Sequence, residues 1–94
     1  MTAILTHGDF APHVHKSFRF EGWDGVLRLD GIDLGRGPEG MRPPFSLIFQ
    51  GPPGNVLPEG LHKARVEDGP ELEFYIQPIQ TLARDRQDYQ AVFN

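Results

Sequence analysis

Residues 58–79 read PEGLHKARVEDGPELEFYIQPI, and the way this stretch folds back on itself decides the fold. Two runs of alternating apolar and polar residues flank Asp68-Gly69. That arrangement signals a β-hairpin, because hairpin turns need positive φ, which Asp and Gly tolerate. A strict two-residue loop would set Arg65 opposite Leu72 and Lys63 opposite Phe74. It would also set Val66 against Glu71 and Ala64 against Glu73. Every pair would then mix an apolar and a charged side chain on one face. Side chains alternate between faces, so a shift of one residue repairs all four pairs. Val66 then meets Leu72, Ala64 meets Phe74 and His62 meets Ile76, while Arg65 meets Glu73 and Lys63 meets Tyr75. The spacing predicts an odd-length loop, Asp68-Gly69-Pro70 with a glycine bulge. The inner face is His62, Ala64, Val66, Leu72, Phe74 and Ile76, and the outer face is polar.

The whole chain has 94 residues, a length that suits one domain over residues 1–94 with a modest core. Seven Phe, one Trp and two Tyr supply much of that core. There is no cysteine, which removes disulfides, thiol nucleophiles and thiolate metal sites. A small disulfide-free chain points to the cytoplasm or to a larger assembly. Nine basic and thirteen acidic residues give a net charge of −4. That balance argues against nucleic-acid and anionic-membrane partners, which need a basic face. No apolar run is long enough to span a membrane, and the opening MTAILTHGDF lacks the pattern of a signal peptide.

The remaining segments read as short strands. Thr6-His7-Gly8-Asp9 has capping-box spacing, which predicts a helical turn over residues 6–12 with Phe10 inward. Residues 15–21 alternate, with Phe18 and Phe20 on one face, and predict a first strand. Residues 23–34 form a second extended run whose apolar phase changes at Asp30-Gly31, the mark of a bulge. Residues 45–50 form a third strand. Phe45, Leu47 and Phe49 share one side and Ile48 the other, so both faces of this strand are expected to be covered. Residues 80–88 are polar and read as a mobile loop. Residues 89–93 end the chain as a strand with Tyr89, Ala91 and Phe93 in phase. The expectation is an all-β domain, a small antiparallel barrel or sandwich of about six short strands with one N-terminal helical turn.

Three segments together, PFSLIFQGP (44–52), LPEGLHKARVEDGPELEFYIQPI (57–79) and the terminal YQAVFN (89–94), resemble a family of short bacterial proteins known as a domain of unknown function. The opening DFAPHVHKSFRF also resembles the start of that family. The resemblance covers nearly the whole chain, and the terminal hexapeptide is its most specific part. It implies no catalytic residues. It does imply a non-enzymatic role, with some relatives encoded beside phage-tail-collar-like proteins.

No motif in the sequence carries a recognisable catalytic chemistry. His13 and His15 form an H-x-H pair, which on a strand would place both rings on one face, as metal sites use. His62, His7, Asp9 or Glu21 would have to complete such a site; the alternative is solvated or core-rim histidines. Gly35–Gly40 matches G-x-G-x-x-G as a string. That motif works through a helix N-terminus after its third glycine, and Pro43-Pro44 forbid one here. Ser17 and Ser46 lack a nucleophile-elbow context. Asp24, Asp30 and Asp33 lack calcium-loop spacing. Glu71 and Glu73 read better as ion-pair partners of Arg65 and Lys63 than as an acid–base pair. Trp23, Ile48, Leu61 and Tyr75 are the candidate interaction residues, since one small core does not hold them all. Two readings of them stay open, a contact surface or a second core layer.

The functional expectation is a non-enzymatic interaction or structural module, with no cofactor and with a protein partner or a second copy of the chain. The alternative is a small-ligand or metal-binding β-barrel using His13, His15 and His62.

Overall fold

The computed structural model describes residues 5–37, 40 and 43–93. A helical turn, α1 (His7–Phe10), runs into a 3-10 turn (Ala11–His13). Six strands follow: β1 (Ser17–Phe20), β2 (Val26–Leu34), β3 (Phe45–Gly51), β4 (Gly60–Val66), β5 (Glu71–Pro78) and β6 (Gln87–Phe93). They close into an antiparallel barrel in the order β1-β2-β3-β6-β5-β4, with β4 returning to β1. The sequence pattern left barrel and sandwich open, and the chain is a barrel.

The β4–β5 hairpin keeps the expected faces but not the expected partners. Its loop is odd, as the alternation requires, yet it consists of Glu67-Asp68-Gly69. His62 therefore pairs with Phe74, Lys63 with Glu73, Ala64 with Leu72 and Arg65 with Glu71. Each partner lies two residues from the expected one, and a displacement by two leaves every side chain on its face. Proline explains the choice. The Val66 N–H donates to the Pro70 carbonyl at 3.0 Å, and the return bond to the Val66 carbonyl comes from the Gly69 N–H, also at 3.0 Å. Pro70 has no N–H to supply it. Asp68 takes the positive φ of the turn, 55°.

Several strand boundaries differ from the sequence reading. β1 begins at Ser17, because His15 sits in a turn at φ 73° and cannot extend a strand. β2 begins at Val26, because the Trp23 indole folds over Gly25. A side-chain carbon at Gly25 would lie 2.5 Å from Cη2 of that ring. The expected phase change is present: Leu29 pairs with Phe49 and Gly31 with Ile48, leaving Asp30 as the bulged residue. Ile32 is thereby returned to the inside, opposite Leu47. The loop expected over 80–88 is shorter, since β6 starts at Gln87. Gln87 Nε2 and Thr81 Oγ1 both donate to the Ile79 carbonyl, at 2.8 and 3.0 Å. The covering expected on both faces of β3 is partial: Ser46, Ile48 and Gln50 are half-buried on its outer side.

The inward residues of all six strands form one core with Phe10 and Leu57. The helical turn acts as a plug. The Thr6 N–H donates to Asp9 Oδ2 at 2.7 Å, and the Asp9 N–H donates to the Thr6 carbonyl at 2.9 Å. That closes the helix start and aims Phe10 into the barrel, 5.4 Å between ring centroids from both Phe74 and Phe93. Near the other end, Tyr89 is fully buried and its hydroxyl accepts the Leu57 N–H at 2.9 Å. This bond pins the β3–β4 loop to β6. Gly51 is where the strand passes these side chains, and a Cβ there would collide with Leu27 and press on Tyr89.

Phe10→Ala removes a whole ring from the plug, so the unfolding free energy should fall by roughly 3–5 kcal/mol. Denaturant titration showing a loss under about 1 kcal/mol would contradict the plug. Tyr89→Phe leaves a buried N–H without an acceptor and should cost about 1–3 kcal/mol at neutral pH. Burial pushes the Tyr89 hydroxyl above its ordinary 10.0, against a smaller opposing pull from the Leu57 N–H. The unfolded chain therefore loses this proton first, and stability present below pH 10 declines as pH rises through the raised value. The gap between wild type and Tyr89→Phe should narrow above pH 10. A gap that widens there would contradict this placement.

Candidate functional site

The three histidines of the metal reading occupy separate places. His13 ends the 3-10 turn, with its Cε1 facing Gly69 and Val66 at the tip of the hairpin. Its Nδ1 is buried with no hydrogen-bond partner among the described residues. His15 is exposed, and its Nδ1 accepts from the Arg28 guanidinium at 3.0 Å. His62 lies on β4 and its Nε2 donates to the Pro58 carbonyl at 2.7 Å. Four residues of β4 separate His62 from Val66, about 13 Å along a strand. A shared ion would need every ligand nitrogen within about 2.1 Å of it. Among the described residues, no group of three or more His, Asp and Glu side chains is placed to hold a metal ion.

The other polar candidates take local partners. Arg65 donates to Glu71 Oε1 at 2.9 Å, and Lys63 stands opposite Glu73. The expected pairs were Arg65 with Glu73 and Lys63 with Tyr75; the two-residue displacement of the hairpin changes both. Asp24 accepts from Asn55 Nδ2 at 3.0 Å, and Ser46 stands on β3 between Asp33 of β2 and Val92 of β6. Of the G-x-G-x-x-G string, Pro38 and Glu39 lie outside the described residues, as do Met41 and Arg42 that follow it.

The four candidate interaction residues divide. Leu61 and Tyr75 are directly opposed on the outer face of β4 and β5, 64% and 49% exposed. The Tyr75 hydroxyl donates to the Glu59 carboxylate. That bond, with smaller contributions from desolvation and from the Glu59 charge, holds the phenol above its usual range. Ile48 is half-buried on β3, flanked by Gly31 and Gln90. Trp23 is not part of that face. Its indole packs against the core, and Nε1 donates to Asn55 Oδ1 at 3.2 Å, clipping the β1–β2 loop to the β3–β4 loop.

Other exposed apolar residues escaped the sequence reading, Val92 among them. Val92, on the outer face of β6, is 48% exposed. Its parity, opposite to Tyr89 and Ala91, was the available signal. Among the described residues the β5–β6 ladder consists of Gln77↔Gln90 and Pro78↔Tyr89. Continuing that register by two residues would bring Tyr75 level with Val92, where the ladder has already stopped. Tyr75 and Val92 thus lie beyond the end of the β5–β6 ladder, and Leu61 lies across β5 from it.

A family model described as a domain of unknown function, DUF6916, matches residues 5–93. No curated protein and no solved structure matches the chain. The match spans every strand of the barrel and the helical plug, so the chain belongs to the DUF6916 family of domains of unknown function.

Proposed function

We propose that the chain is a non-enzymatic protein-interaction or structural module whose contact surface is centred on Leu61 and Tyr75. The supporting observation is the direct pairing of these two exposed apolar side chains beside the joint where the β5–β6 ladder stops. Exposed apolar residues scattered singly are ordinary on a protein surface; adjacent ones mark a contact. Covering a side chain the size of Leu61 is worth about 1.5–3 kcal/mol. The partner is a protein or a second copy of the chain. The setting consistent with the sequence resemblance is a phage-tail-like assembly or the cytoplasm. For the alternative, a small-ligand or metal-binding barrel using His13, His15 and His62, the described residues bring together no group of three ligands.

Leu61→Asp places a charge in this surface without touching the core. The unfolding free energy should change by no more than about 0.5 kcal/mol. A partner held stoichiometrically by the wild type, or a self-association seen in sedimentation, should be lost. Undiminished binding by the folded variant would contradict the assignment of this face.

A further inference from the structure

The pairing of β1 with β4 sets two arginines against each other. Arg19 stands directly opposite Arg65, and both are exposed on the outer face. Like charges opposed across strands destabilise a sheet. Arg65 is bonded to Glu71, the next residue in the row, at 2.9 Å. Arg19 makes no ion pair or side-chain hydrogen bond among the described residues, and its other cross-strand neighbour is Val26. Among the described residues Arg65 thus has a carboxylate partner and Arg19 has none.

Both arginines border a groove of about 410 Å³ between β1 and the tip of the hairpin. The half-buried Val26 gives it an apolar wall. Its other charged groups are Asp68 and Glu67, the latter accepting the Ser17 N–H at 3.4 Å. A guanidinium presents paired donors that match a carboxylate. The two neighbouring acids disfavour a dianion, and Val26 suits the methylenes of an acidic side chain. We propose that Arg19 and Arg65 form a subsite for a Glu or Asp side chain of a protein partner. This rests on the interaction reading and names the chemistry of what is bound.

The test needs no identified partner. The Arg Nε–H resonances are followed by NMR while a capped tri-glutamate peptide is added, with capped tri-glutamine, inorganic phosphate and chloride as separate arms at matched ionic strength. The expected result is a saturable shift at Arg19 and Arg65 with the glutamate peptide alone. Arg19→Gln should weaken that binding roughly two- to fivefold, as for an exposed ion pair, and Arg84→Gln should leave it unchanged. A non-saturating shift, an effect reproduced by chloride, or indifference to Arg19→Gln would overturn the subsite. Tighter saturation by phosphate would overturn the assignment to a protein side chain. Loss of partner binding in Leu61→Asp with this titration intact would separate the two surfaces.

Discussion

The Phe74 ring is the contact through which the parts of this barrel meet. It lies 5.4 Å from Phe10 of the helical plug, 5.9 Å from Phe20 of β1 and 5.9 Å from Phe49 of β3. Phe93 of β6 is 6.2 Å away and is itself stacked on Phe45 at 4.5 Å. Aromatic pairs at these separations gain about 0.5–1.5 kcal/mol beyond the area they bury. Their larger effect is geometric, since Phe74 reaches all four only if β5 faces inward at residues 72, 74 and 76. The hairpin parity is therefore the constraint that the plug, the core and the outer surface inherit. Put on the other face, Glu73 and Tyr75 would enter the core and Leu61 would have no exposed partner.

That parity was legible in the sequence and the pairing was not. Burial acts on faces, so the alternation around Asp68-Gly69 excludes an even loop. It does not choose between two odd loops that leave every face unchanged. The choice depends on backbone donors: Pro70 has none, and the Gly69 N–H takes its place. The bulge at Asp30 was legible for the same reason as the parity, since the apolar phase changes there. The capping pair Thr6 and Asp9 and the inward Phe10 were legible because both are local. The positive φ of His15 was not. It is held by a bond from its N–H to the Leu29 carbonyl at 2.7 Å, across fourteen residues of chain.

The surface shows the same division. Leu61 and Tyr75 could be named from parity alone, because they sit out of phase with the core residues of their strands. Trp23 could not be placed, because a glycine two residues on gives the indole somewhere to fold. The neighbours of each strand depend on the order β3-β6-β5, which no local pattern encodes. The opposition of Arg19 and Arg65 comes from a pairing between strands distant in sequence. So does the early end of the β5–β6 ladder.

The register of the hairpin is the most direct test of this account. In antiparallel strands the Cα hydrogens approach most closely at pairs that exchange no hydrogen bonds. Val66 and Pro70 form a bonded position, so Lys63 with Glu73 and Leu61 with Tyr75 fall at unbonded ones. A nuclear Overhauser measurement should show strong Hα–Hα contacts for Lys63 with Glu73 and for Leu61 with Tyr75. Strong contact between Ala64 and Phe74 instead would place the loop at Asp68-Gly69-Pro70, separate Leu61 from Tyr75, and contradict the surface built on their pairing.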